Sequence, residues 1–321
     1  MKRAVVTGAS GFVGANLARR LVLDGCETHL LLRSSYRPWR LREIAADVRI
    51  HFVDLQDAAA IRETLRRIRP DWVFHLAAFG AYPTQNGMGA MVETNLMSAV
   101  ALLDACADIG VEAYVQTGSS SEYGFKDHPA GENEVLEPNS HYAITKAAAT
   151  HYAQFTSRQR SLHAVAVRLY SVYGPYEEPS RLIPTLLVHA FEGRLPPLVS
   201  PHTARDFVYV DDAVEAILQV AAHSHLPRGS VYNVCTGKQS TVASVVSLVR
   251  ELLAVPAEPV WSSMESRSWD TNSWVGSPQA IERDVQWKAA VDIATGLQKT
   301  IDWFRAHPDL LAIYTQSVLK H

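Results

Sequence analysis

The chain has 321 residues, 47% of them hydrophobic and 20% charged, the balance of an ordinary globular protein with ample length for a core. A net charge of −3 and a pI of about 6.5 give no electrostatic footprint for nucleic acid or an anionic membrane surface. Cys26, Cys106 and Cys235 are odd in number and far apart, which excludes a disulfide framework and reads as reduced thiols of a cytoplasmic protein.

Met1-Lys2-Arg3 leads straight into a first strand, so no secretory signal is expected, and no continuous apolar run approaches the ~18 residues that span a bilayer. Ala4-Val5-Val6 suits a buried strand, and Leu17, Leu21 and Val22 recur at helical spacing. Between them stand Gly8, Gly11 and Gly14. Strand, glycine turn and helix in that order are the context of the dinucleotide-binding fingerprint, whose glycines allow a tight turn and close approach of backbone to a pyrophosphate.

The second strand, 27–33, ends at Arg33, with Ser34, Ser35 and Arg37 close behind. Chains that select NAD place an acid there to bond the adenosine ribose, whereas an arginine grips a 2′-phosphate, so the cofactor expected is NADP, with NAD the alternative. Strands are predicted at 48–54, 71–78, 113–120 and 164–172, and helices at 57–69, 88–109 (with Gly110 as C-cap) and 140–160. This alternation predicts an α/β fold with a doubly wound parallel sheet.

After Gly174-Pro175 the sequence is rich in proline and poor in periodicity. Strand and helix resume at 205–222 and a strand at 231–237; 256–280 is again irregular before a last helix at 292–306. The expected organisation is a dinucleotide-binding domain over 1–174, to which 206–236 returns, and a smaller substrate-binding region from 175–205 and 237–321. His223-Ser224-His225 reads as a polar loop, and with no HExxH or Cys-x-x-Cys spacing no metal is expected.

Tyr142 and Lys146 lie four apart, on one face of a helix that Ser140 is placed to cap. An ammonium beside a phenol favours the phenolate, so Lys146 is expected to lower the pKa of Tyr142 and make it an acid/base. Ser119, Ser120 and Ser121 fall at the carboxyl end of a predicted strand, where open α/β sheets build their sites.

With "TGASGFVG" at 7–14, "VDL" at 53–55, "HLAA" at 75–78, "GSSSEYG" at 118–124, "YAITK" at 142–146, "RLYSVYGP" at 168–175 and "RDFVYVDDAV" at 205–214, the chain resembles the extended short-chain dehydrogenase/reductases that act on nucleotide sugars. The resemblance implies Ser119 as the catalytic hydroxyl, with Ser120 the alternative if the loop is read one residue shorter, Tyr142 as acid/base and Lys146 as its partner and a ligand of the nicotinamide ribose. It places the cofactor on Gly8, Gly11, Phe12, Val13 and Gly14, with Asp54 and Leu55 flanking the adenine and Leu76, Ala77 and Ala78 its middle. Arg205 would meet the substrate's diphosphate.

Two positions depart from the family pattern. Its dehydratases carry acids directly after the catalytic hydroxyl, where this chain has Ser120 and Ser121, and Glu122 comes one place late. Ser171 stands where the family often has asparagine. Substrate contacts are expected from Ser120, Ser121, Ser171, Tyr82 within the 79–85 segment, Arg181, and Arg267, with Trp269 or Trp274 placed to stack or to pack. These features point to a homodimeric, NADP-dependent reductase of a 4-keto-6-deoxy sugar nucleotide. A C4 epimerase retaining its cofactor is the alternative, and a dehydratase or a non-catalytic NADP-binding scaffold lies further off.

Overall fold

Ala4, Val5 and Val6 have no exposed surface, because the strand they form is covered on both faces by helices. The computed structural model describes residues 1–82, 85, 87–264 and 271–318; Arg267 and Trp269 lie outside the described residues. In chain order the strands are β1 (Arg3–Thr7), β2 (Glu27–Leu32), β3 (Val48–Phe52), β4 (Trp72–His75), β5 (Ala113–Ser119), β6 (Ala164–Leu169), β7 (Ser171–Tyr173), β8 (Ala204–Arg205), β9 (Phe207–Tyr209), β10 (Val231–Val234) and β11 (Ser240–Thr241). Seven of them form one parallel sheet in the order β10-β6-β5-β4-β1-β2-β3. The order reverses between β1 and β4, so the loops leaving those strands diverge and open a crevice at their carboxyl ends.

The helices are α1 (Phe12–Leu23), α2 (Ala58–Ile68), α3 (Met88–Met91), α4 (Ser98–Ile109), α5 (His141–Gln159), α6 (Leu182–Phe191), α7 (Val210–Ala222), α8 (Val242–Leu253), α9 (Gln279–Val285), α10 (Ile293–Ala306) and α11 (Pro308–Val318). Their starts follow capping chemistry: Asp57 accepts from Ala59 N and Ala60 N, Ser140 from Ala143 N, Thr241 from Ser244 N and Asp292 from Thr295 N. Gly110 ends α4 at φ +75°.

Several elements differ from the sequence expectation. The 164–172 strand breaks at Tyr170, where the chain leaves the main sheet to pair β7 with β9. The proline-rich stretch after Gly174 contains α6, whose Pro184 sits in the first turn, where a missing N–H is tolerated. Helix 88–109 is interrupted by one π turn at Val92–Met97. Among the described residues that stretch is also the one helix long and apolar enough to cross a membrane, at 22 residues and a mean hydropathy of 1.3. Its Leu102, Leu103, Ala105 and Cys106 are instead buried in the apolar core that Val5, Val73 and Tyr114 share.

A second apolar core lies apart from the sheet. Tyr173, Ile183, Leu187, Val245, Leu297 and Phe304 meet there, drawn from β7, α6, α8 and α10. An aromatic group joins this region to the segment after β2: Trp39 packs edge-on to Tyr314 with ring centroids 5.7 Å apart, and Tyr176 packs on Trp303 at 4.8 Å. Arg19 lies 3.7 Å over the Tyr176 ring, and the Tyr314 hydroxyl donates to Glu177 O.

Candidate active site

The glycine turn is built for close approach. Gly8 has φ +71°, and a Cβ there would stand 2.5 Å from Ala77 N, in the loop after β4. A Cβ on Gly14 would stand 2.3 Å from Gly8 O, so α1 can start against the turn only with glycine. Gly11 N donates to Gly8 O at 2.9 Å and Gly11 begins α1, with Phe12 and Val13 in its first turn. The result is a backbone cradle at the positive end of a helix, the arrangement that holds a pyrophosphate, so the residues fit a dinucleotide.

Arg33 is exposed directly beyond β2, with Tyr36 N donating to Arg33 O to close a tight turn. Asp54 is exposed beyond β3 and bonds Gln56 N at 3.0 Å, with Leu55 beside it half-buried. Leu76, Ala77 and Ala78 follow β4 along the floor of the crevice. Arg40, buried, ties this half together: it donates to Tyr176 O, Ser10 O and the Glu178 carboxylate.

Ser119 closes β5 and caps a short 3-10 turn, Ser120–Tyr123. Its Oγ is 2.8 Å from Ser121 Oγ and accepts from Ser121 N at 3.2 Å. Glu122 does not face the crevice as a free acid. It is fully buried, and its carboxylate accepts from Ser119 N at 2.8 Å, Thr150 Oγ1 at 3.1 Å and Arg168 Nε at 2.8 Å.

Helix α5 brings Tyr142 and Lys146 opposite this turn. Lys146 is buried and has no hydrogen-bond or ion-pair partner among the described residues; burial drops its pKa to about 8, opposed by the charge of Glu122. The expected lowering of the Tyr142 pKa by Lys146 is not what the site shows. Burial pushes the phenol up to about 12, a hydrogen bond with Ser119 pulls it down, and Glu122 and Tyr82 add to the rise. A protonated phenol beside a hydroxyl is a proton donor in waiting.

Two residues that sequence reasoning missed fix the surroundings. Asn95, on the π turn, exchanges hydrogen bonds with Phe79 N and O and donates to Thr145 Oγ1 at 2.9 Å. His75, wholly buried at the end of β4, meets Thr7 Oγ1 at 2.7 Å through Nδ1 and Ser98 Oγ at 3.3 Å through Nε2. Ser98 donates to Thr94 O, so Nε2 carries the proton and Thr7 donates to Nδ1 while accepting from Ala77 N. Burial and Lys146 hold this imidazole neutral, with its pKa near about 3. Their partners lie far off in the sequence, and no local pattern announces them.

Around the mouth, Tyr82 is half-buried and near enough to Arg181 and Glu177 to feel both charges, and it in turn bears on Tyr142. Arg181, exposed at the start of α6, has Nε 3.8 Å from Glu177 Oε1. Trp274 donates from Nε1 to Ser120 Oγ at 3.0 Å, and the Arg205 guanidinium lies 5.5 Å from its ring. Trp274 thus walls the site beside the serine turn, and its ring packs on the core of the main sheet, not on the second core. Ser171, half-buried at the start of β7, bonds Asp206 O through its backbone N–H.

A glycine cradle at the switch point, with a serine, tyrosine and lysine gathered beside it, marks the dinucleotide-dependent enzymes of the α/β class. The chain belongs to the NAD dependent epimerase/dehydratase family, whose profile matches residues 4–235. It is 29% identical to a dTDP-glucose 4,6-dehydratase of Streptomyces griseus over 318 residues, covering 94% of each chain. Among solved structures it resembles the Thermus thermophilus UDP-glucose 4-epimerase complex with NAD, at a TM-score of 0.82 and 28% identity, covering 94% of this chain and 99% of that one. The fold is shared as closely with a UDP-glucose 4-epimerase of Thermotoga maritima, at a TM-score of 0.86 and 24% identity, covering 95% and 99%.

Proposed function

We propose that the enzyme reduces a 4-keto-6-deoxy sugar nucleotide at C4 with NADPH. The observation that carries this reading is the serine turn: Ser120 and Ser121 follow the reactive hydroxyl, and the one carboxylate on the turn, Glu122, is committed to Arg168 and Ser119 N. Interconverting a ketone and an alcohol needs a hydroxyl to bond the oxygen and a proton donor, whereas expelling water needs a further free acid.

A bound nicotinamide supplies the hydride. Tyr142 protonates the oxygen that develops at C4, and Ser119 hydrogen-bonds it where charge appears. Lys146, without a hydrogen-bond or ion-pair partner among the described residues, meets the ribose hydroxyls and favours the phenolate left behind. Gly8, Gly11, Phe12, Val13 and Gly14 hold the pyrophosphate, Arg33 the 2′-phosphate, Asp54 and Leu55 the adenine end, and Leu76, Ala77 and Ala78 the middle. The region of the second core, 175–205 with 237–321, receives the substrate through Ser171, Arg181 and Arg205, together with Tyr82, Ser120 and Ser121 from the other side; Arg267 belongs to the same proposal. Exposed Met97, Ile144 and Phe155 on neighbouring helices support a homodimer, and three unpaired cysteines support a cytoplasmic setting.

The likeness to an epimerase complexed with NAD favours a second reading, C4 epimerisation with the cofactor retained. Deuterated NADPH and dTDP-4-keto-6-deoxyglucose separate the two. A reductase consumes NADPH stoichiometrically and places the label at C4. Interconversion of C4 epimers without label from the medium removes the reductase reading and installs the epimerase.

A further inference from the structure

We propose that Glu122 is a positioning residue that fixes Ser119 against the Tyr142 face of α5 and holds its Arg168-bonded carboxylate beside the Tyr142–Lys146 pair. This rests on the reading of Ser119, Tyr142 and Lys146 as the reacting groups.

The carboxylate touches three elements at once. Oε1 accepts from Ser119 N at the end of β5 and from Thr150 Oγ1 on α5, and Oε2 accepts from Arg168 Nε on β6. Tyr142, Lys146 and Thr150 are spaced four apart on α5, so the bond to Thr150 grips the same helix face that carries the reacting side chains. One carboxylate thereby sets the distance between the two halves of the site. Space for it is reserved in the chain: a Cβ on Gly118 would stand 2.5 Å from Glu122 Oε1 and 3.1 Å from Thr150 Oγ1.

The charge is equally constrained. Arg168 faces Glu122 from β6 and also donates to Tyr123 OH at 2.7 Å; Tyr142 and Lys146 face it from α5. Burial lowers the Lys146 pKa to about 8, and the charge of the Glu122 carboxylate opposes that fall. A free dehydrating acid would need an open face towards the substrate. This carboxylate is spent on an arginine, a backbone amide and a threonine.

The chain has seven lysines, few enough for Lys146 to be followed by NMR of 13Cε-lysine protein, its signal assigned by loss in Lys146→Met. In Glu122→Gln the Lys146 titration should move to lower pH by about one unit or more. An unchanged titration in folded Glu122→Gln overturns the proposal. Should that variant not fold, Glu122→Asp keeps the charge and shortens the reach: Lys146 then titrates within about 0.3 units of wild type while turnover of dTDP-4-keto-6-deoxyglucose falls about tenfold or more, with KM for NADPH unchanged. Wild-type turnover in Glu122→Asp also overturns it. Tyr142→Phe, assayed in parallel, distinguishes the cases: retained turnover there removes the roles assigned to the reacting groups, while the Lys146 titration still reports on Glu122.

Discussion

Asn95 grips the backbone of Phe79 from both sides, its Oδ1 accepting from Phe79 N and its Nδ2 donating to Phe79 O, each at 2.8 Å. The same Nδ2 reaches Thr145, the neighbour of Lys146 on α5. Asn95 is presented by the π turn, where one extra residue per turn re-aims a side chain that an unbroken helix would direct elsewhere. The loop after β4 and the helix carrying Tyr142 are therefore held by one amide.

Asn95→Ala leaves the Phe79 N–H and carbonyl without their partner and takes one donor from the Thr145 hydroxyl, which keeps its bond to Tyr142 O. Stability should fall by about 2–4 kcal/mol, and turnover should fall with it as the 79–82 loop loosens. Urea unfolding and steady-state kinetics measure both; an unfolding midpoint equal to wild type would show the amide to be dispensable.

Removing the phenolic hydroxyl tests the proton donor. Tyr142→Phe should lower turnover by about two to four orders of magnitude and leave dinucleotide affinity nearly unchanged, since the glycine cradle is untouched. Turnover near that of wild type would eliminate the proposed acid.

The proposed preference for NADP rests on an exposed arginine, Arg33. Arg33→Asp replaces a phosphate partner with a like charge, and preference should swing from NADP(H) toward NAD(H) by at least about tenfold, or about 1.4 kcal/mol. Binding of both dinucleotides by calorimetry decides it. If NADP affinity is the same in both proteins, Arg33 is a solvated loop residue.

His75 gives the fold an acid limit. Its folded pKa, near about 3, lies below the ordinary value of about 6.5, so between those pH values the unfolded chain takes up a proton that the folded one refuses. Stability supplied by the neutral ring is complete above pH ~6.5 and drains away as pH falls, at up to about 1.4 kcal/mol per unit. From pH 7 to 5 the unfolding free energy should drop by about 2 kcal/mol from this group. A His75 ring signal that titrates near pH ~6.5 by NMR would contradict the buried network.

Much of the site was legible because it is written in short-range chemistry. Glycines three apart after a strand, a tyrosine and lysine four apart, and serines ending another strand each carry their reason within a few residues. The strand reading failed at Tyr170, where the break is set by β9 arriving from elsewhere to pair with β7. Helix α6 hid behind Pro184 and its proline-rich flanks. Glu122 looked like an acid one place out of register; its buried partner Arg168 comes 46 residues later. The phenol pKa was misjudged for the same reason, since spacing reveals a neighbouring lysine but not the depth at which both are buried.

Trp39 leaves the ribosome early and Tyr314 late, yet each covers the other, and Arg40 beside Trp39 braces the glycine turn through Ser10 O. The amino-terminal half therefore cannot finish maturing while it is being made. Until α11 emerges and docks, Trp39 and Tyr176 keep a face open to water, and the loops flanking the dinucleotide cradle lack their outer support. The Arg40 brace does not wait for α11, since Ser10, Tyr176 and Glu178 all precede Trp303; a ribosome stalled there would carry a braced cradle that lacks only its aromatic cover.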